Sequence, residues 1–167
     1  MKFLISCLVL LTVSILSASD NIESALLEES DFKTLSLTME KESLGLVLML
    51  HAEHCPYCAL MESDILSPMV KSKEYDKKVL IRKLQIDEAR DIIDFAGETV
   101  EPSDLSDQYQ APLTPTLVFL DYKGNEKVKQ MVGINTVELF GAYLDIEIDK
   151  LKNNIDADII KANSKDK

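Results

Sequence analysis

The chain has 167 residues, 46% of them hydrophobic and 28% charged, an ordinary balance for a globular protein. Its formal net charge of −11 excludes the basic stripe that a nucleic-acid partner requires, and it favours solubility without naming a ligand. Beyond the N-terminal apolar run no segment reaches the roughly 20 apolar residues of a membrane span, and the remaining length suits one domain.

The opening stretch MKFLISCLVLLTVSILSASD places Lys2 before an apolar run from Phe3 to Leu16 and closes on small residues before Asp20. That is the pattern of a secretory signal, assigned to residues 1–19 with cleavage after Ala18 or Ser19. An uncleaved anchor is the second choice. Cys7 lies inside the apolar run and leaves with the signal. Residues 20–44 form an N-terminal extension in which Ile22, Ala25, Leu26, Phe32, Leu35 and Met39 recur at roughly helical spacing, predicting one or two amphipathic helices.

Gly45 then introduces LVLML, a continuous apolar run of strand length that suits a buried central strand. From Pro56 the pattern is helical, with proline at a first-turn position where its missing N–H costs nothing, and Pro68 is expected to kink or interrupt the helix. KVLIRKLQID reads as a second strand. EARDIIDFAGETVEP carries Ala96 and Gly97 between two short apolar stretches, a small hairpin. SDLSDQYQ is a short helix with Ser103 as its cap.

TPTLVFLD and EKVKQMVG are two strands joined by the glycine-containing loop YKGN. In the last segment Asn135 and Glu138 have capping-box spacing, and Phe140, Leu144, Ile148, Leu151 and Ile155 share one face of a long helix. Residues 153–167 are its end and a polar, disordered tail. Residues 45–152 thus order their elements as a single α/β layer domain.

Removing Cys7 leaves only Cys55 and Cys58, in a chain read as bound for an oxidising compartment. A disulfide between them closes so small a loop that it removes little entropy from the unfolded chain, so a structural staple is a poor explanation. They fall between the first strand and its following helix, the carboxyl end of a strand, where open α/β sheets place their chemistry. A thiolate at a helix N-terminus is stabilised by unpaired N–H groups, and a second thiol one turn on can resolve a mixed disulfide. In that reading Cys55 attacks and Cys58 resolves. A different class stays open: His51, His54, Cys55 and Cys58 are four soft ligands within a short stretch, suited to zinc or copper binding or delivery. A third reading is two buried, inert thiols.

LMLHAEHCPYC, then RKLQID, then YQAPLTPTLVFLDYKGNEKVKQMVG resemble the thioredoxin family in order and spacing, from about Leu46 to Leu151. The likeness is to exported bacterial thioredoxin-like proteins of the SoxW type, through the HCPYC motif, the ILSP stretch and an insertion before the TPT segment. It implies a thioredoxin-like fold: a central mixed sheet flanked by helices, with the N-terminal extension and the acidic insertion 88–107 added. It implies a periplasmic thiol–disulfide oxidoreductase with Cys55 and Cys58 as its redox disulfide. Thr114–Pro115 would be a cis bond beside Cys55, where a substrate strand pairs with exposed backbone, and Tyr57 would flank the site as a substrate contact. Neither cofactor nor metal is implied. Partners would be client proteins carrying disulfides or thiols and a membrane electron donor, with a monomer favoured.

Three departures from the family pattern matter. His51 and His54 replace tryptophans, and the chain has no Trp. Beside Cys55, a protonated His54 would lower the thiol pKa, although a solvent-facing rim position is favoured for it. Met49 stands where many thioredoxins keep a buried acid, although the lysine that partners that acid has a counterpart in Lys83. Proton transfer from Cys58 then needs another group or water, Glu53 being one candidate. The Pro-Tyr dipeptide between the cysteines leaves the redox direction between a reductant, near −270 mV, and a disulfide-forming oxidase, near about −120 mV.

Overall fold

The run GLVLML is buried along its whole length in the computed structural model, which describes residues 26–165. The signal assigned to residues 1–19 lies outside the described residues. In chain order the elements begin with α1 (Phe32–Glu42), β1 (Gly45–His51) and α2 (Pro56–Met61). A π-helical turn (Glu62–Leu66) leads into α3 (Ser67–Ser72), followed by β2 (Val79–Gln85) and the short pair β3 (Ile92–Ile93) and β4 (Thr99–Val100). Then come α4 (Pro102–Gln108), β5 (Thr116–Leu120), β6 (Glu126–Val132) and α5 (Val137–Lys165).

The four-stranded sheet has the order β2-β1-β5-β6. β1 runs parallel to β2 and antiparallel to β5, and β6 pairs antiparallel with β5. This is the mixed sheet expected from sequence. Because successive side chains of a strand point to opposite faces, β1 supplies two cores. Val47 and Met49 join Leu117 and Phe119 under α5 (Phe140, Leu144, Ile148, Leu151) and the helical stretch holding Met61 and Leu66. Leu46, Leu48 and Leu50 join Val118 and Leu120 under α1 (Phe32, Leu35, Met39) and Leu105 of α4. Each such side chain contributes about 1.5–3 kcal/mol on burial, so a strand covered on both faces must be apolar throughout.

Among the described residues the extension holds one helix, α1. Asp31 caps α1, its carboxylate accepting from the Thr34 N–H at 2.8 Å. Ahead of it the chain is extended: the Glu29 N–H donates to the Lys83 carbonyl, and the Lys83 N–H to that of Leu27. The periodicity of residues 22–39 conceals this segment, because an added strand along the β2 edge also needs only an occasional apolar residue. It covers backbone groups that an open edge would expose. The Ile93 N–H then donates to Ser30, tying in the β3–β4 hairpin that the sequence predicts.

Pro68 acts as expected, with a particular outcome. Lacking an N–H, it cannot bond the carbonyl of Asp64, and its ring crowds that group. The helix widens just before it, so that the Ser67 N–H reaches the Glu62 carbonyl five residues back. Three helix ends differ from expectation. Glu101, not Ser103, caps α4, because Pro102 takes the first helical position, and the Glu101 N–H donates to Asp104 at 3.0 Å. α5 starts at Val137 with the Thr136 carbonyl accepting from Phe140, so the cap falls at Thr136, one residue after Asn135. Finally, the polar tail is helical to Lys165: Ala, Lys and Ser allow the helix to continue, and no proline or glycine stops it. Among the described residues no helix is long and apolar enough to cross a membrane.

Gly45, at the head of β1, is required by α5. A Cβ there would lie 2.5 Å from Leu151 Cδ2, 2.8 Å from its Cγ and 3.1 Å from Ile155 Cδ1. Leu151 is fully buried and has nowhere to move. Gly45→Ala is therefore expected to destabilise the fold by about 1–3 kcal/mol, read as a lowered urea midpoint with an unchanged slope.

Candidate active site

β1 ends at His51, and Ala52–His54 carry the chain to Cys55, which sits at the cap position of α2 in an extended conformation (φ −112°, ψ 97°). Its carbonyl accepts from Cys58 at 3.0 Å and from Ala59 at 3.1 Å. Pro56 opens the helix without leaving an unused donor. The Cys58 N–H also reaches Cys55 Sγ at 3.1 Å, and the two cysteines form a disulfide with their Cα atoms 5.2 Å apart. Their environments differ: Cys55 is half-buried, whereas Cys58 is 4% exposed. The outer sulfur can meet another molecule and the inner one cannot.

Across from Cys55 lies the turn that enters β5. The Thr114–Pro115 bond is cis, as the resemblance implies. The Thr114 hydroxyl donates to Cys55 Sγ at 3.6 Å. Pro115 is buried, and its carbonyl accepts from Gly133 at 2.8 Å, which anchors the turn to the end of β6. The surroundings are apolar and open, with Tyr57 62% exposed on the first turn of α2 and Leu113 63% exposed before Thr114. Cys55, Cys58, Thr114 and Pro115 are therefore gathered in one place. Tyr57 stands on the same helix start with its ring toward solvent.

The histidines part company. His54 is exposed, as favoured from sequence. His51 turns to the N-terminal segment, with Nε2 2.9 Å from Glu28 Oε2. Among the described residues no three or more His, Cys, Asp or Glu side chains gather in metal-binding geometry, so the four neighbouring soft ligands are not brought together around one point. Glu53 is exposed on the loop, and its N–H is held by the Asp87 carboxylate at 3.1–3.2 Å.

Of the polar groups that gather around Lys83, the sequence reading named the lysine but missed Glu62 and Glu28. Met49 is fully buried, and its β2 partner in register is Lys83. Lys83 Nζ contacts both oxygens of Glu62 at 2.8 Å. Glu62 follows Cys58 by four residues, one helical turn, a spacing that could have been found from sequence. Glu28 comes from the distant extension and carried no such signal. Its carboxylate accepts from the Gln85 N–H and pairs with His51. Burial alone would raise the Glu28 carboxyl, but the hydrogen bond and charge of His51, the Gln85 N–H and the charge of Lys83 together hold it below its ordinary value of 4.5.

A family model described as a thioredoxin-like domain matches residues 32–146. Among solved structures, thioredoxin from Fasciola hepatica is similar with a TM-score of 0.50 and 19% identity, over 76% of this chain and 100% of that one. A thioredoxin-like protein from Clostridium perfringens has 24% identity and a TM-score of 0.49, over 80% of this chain and 91% of its own. Thioredoxin O2 from Arabidopsis thaliana has 22% identity and a TM-score of 0.47, over 74% and 96%. At these identities the likeness to the first concerns the fold alone. No curated protein matches the sequence.

The Glu28–His51 pair has a pH signature. A carboxyl whose folded pKa is depressed adds stability that is present above its unfolded pKa and lost as pH falls through the folded one. The stability gap between wild type and Glu28→Gln should therefore shrink as pH drops from about 5 to about 3, measured by urea unfolding. A gap constant across that window would show that the carboxylate is not held in its charged form.

Proposed function

We propose that this chain, which belongs to the thioredoxin-like domain family, is an exported thiol–disulfide oxidoreductase that reduces disulfides in client proteins. The observation that carries the reading is the treatment of Cys55 Sγ. It sits at a helix start with the Cys58 N–H and the Thr114 hydroxyl both directed at it. Donors aimed at a sulfur favour its charged form, and the thiolate is the species that attacks disulfides. A partner thiol in bonding reach, buried beneath, completes the pair.

In the reducing direction the Cys55 thiolate attacks one sulfur of a client disulfide. That S–S bond breaks, and the departing client sulfur leaves as a thiolate and takes up a proton. The resulting mixed disulfide is held by pairing of the client backbone with the residues at Thr114–Pro115, beside the exposed rings and side chains of Tyr57 and Leu113. Cys58 then loses its proton and attacks Cys55 Sγ, releasing the second client sulfur. Two electrons have passed from the dithiol to the client, and a membrane electron donor returns the Cys55–Cys58 disulfide to the dithiol.

Export rests on the N-terminal signal pattern, and the reducing direction on the likeness of HCPYC and its neighbouring segments to exported proteins of the SoxW type. The same steps in reverse describe a disulfide-forming oxidase, which is the alternative direction. The test is insulin reduction under dithiothreitol together with trapping of mixed disulfides. Cys55→Ser should lose essentially all exchange, whereas Cys58→Ser should accumulate client adducts through Cys55. Full activity in Cys55→Ser would overturn the mechanism.

A further inference from the structure

We propose that Glu62 accepts the proton of Cys58 in the resolving step, and that Lys83 is the positioning residue that holds its carboxylate there. The proposal rests on the redox reading above and names how this chain runs its second half-reaction. The need is physical. A thiol that is 4% exposed resists ionisation, because burial disfavours the charged form. Yet Cys58 must become a thiolate to attack Cys55 Sγ.

The strand beneath supplies no base, since Met49 is apolar and fully buried. Glu53 faces solvent on the loop, with its backbone engaged by Asp87. Glu62 is placed differently. Its N–H donates to the Cys58 carbonyl and its backbone is α-helical (φ −65°, ψ −52°). Side chains four residues apart on a regular helix share one face, with Cβ atoms about 5–6 Å apart. From that spacing a glutamate side chain is long enough to bring its carboxylate within one bridging water of the Cys58 thiol, the reach a general base needs. The widening set by Pro68 starts at Glu62 itself, so the turn from Cys58 to Glu62 is still α-helical.

The carboxylate is also turned inward and held. Lys83 Nζ grips both of its oxygens at 2.8 Å, with side-chain exposures of 16% for Lys83 and 20% for Glu62. Lys83 comes from β2, Glu28 from the N-terminal segment lies within its field, and His51 of β1 pairs with Glu28. Cys58 lies on the same helix, one turn before Glu62.

The step balances simply. The Cys58 S–H bond breaks and its proton passes to the Glu62 carboxylate. The Cys58 thiolate forms a bond to Cys55 Sγ, and the bond from Cys55 to the client sulfur breaks. The client leaves as a thiolate and takes up one proton, while Glu62 returns its own to solvent.

The experiment is stopped-flow reaction of the reduced protein with 5,5′-dithiobis(2-nitrobenzoic acid). The first equivalent of coloured thiolate reports attack by Cys55, and the second reports resolution by Cys58. Glu62→Gln is expected to slow the second phase on the order of tenfold to a hundredfold at pH 7, with the first phase changed less than about threefold. Its second phase should also rise with pH across the neutral range more steeply than the wild-type phase, which a merely structural loss would not produce. Glu62→Gln combined with Lys83→Met leaves no unpaired ammonium and should give the same pattern in a folded protein. A second phase that is unchanged, or two phases slowed equally, would overturn the proposal. If the wild type released only one equivalent, the exchange reading would fail, and this proposal with it.

Discussion

Everything in this molecule depends on β1 being buried on both faces and paired on both edges. Its alternating side chains enter two separate cores, one under α5 and one under α1 and α4. Its backbone is locked to β2 on one side and β5 on the other. A strand so constrained cannot shift register without moving apolar side chains between cores. Its end at His51 is therefore a fixed point, and Cys55 is delivered from it by a short loop. β5, paired to the same strand, delivers Thr114 to the same sulfur. The close approach of Cys55 and Thr114, far apart in sequence, is a consequence of that shared pairing.

The site built there separates two chemically identical side chains by environment. Cys55 meets the Cys58 N–H, a hydroxyl and solvent; Cys58 meets the core. Such asymmetry lets one sulfur meet clients while the other waits for a mixed disulfide. The polar groups near it come from four elements: Glu62 from the helix, Lys83 from β2, His51 from β1 and Glu28 from the extension. The extension thus does more than seal a sheet edge, because the same few residues that cover β2 bring a carboxylate to His51.

The fold was legible in the sequence wherever burial imposed a pattern. LVLML suited a buried central strand, the spacing of Phe140, Leu144 and Ile148 suited one buried face of a helix, and Gly97 marked its hairpin. Boundaries were harder, since Glu101, Ser103, Thr136 and Asn135 can all cap a helix and backbone geometry chooses among them. The tail ran on as helix because nothing in it breaks one. The extended segment before α1 was hidden because its role lies in backbone hydrogen bonds to β2, which leave no periodic mark. At the site, the cysteines and Thr114–Pro115 were legible from local motifs. The Glu28–His51 contact was not, because it joins segments that only the folded sheet brings together.

The central claim is that Cys55 and Cys58 form a reversible redox couple, and its most direct test is the equilibrium reduction potential of the protein. After metal removal it would be titrated in dithiothreitol or glutathione buffers. The expected result is a single two-electron transition near about −270 mV, the range of reductants. A value near about −120 mV would contradict the reducing direction. Absence of any reversible couple, with stoichiometric metal in the untreated protein, would contradict the redox function itself.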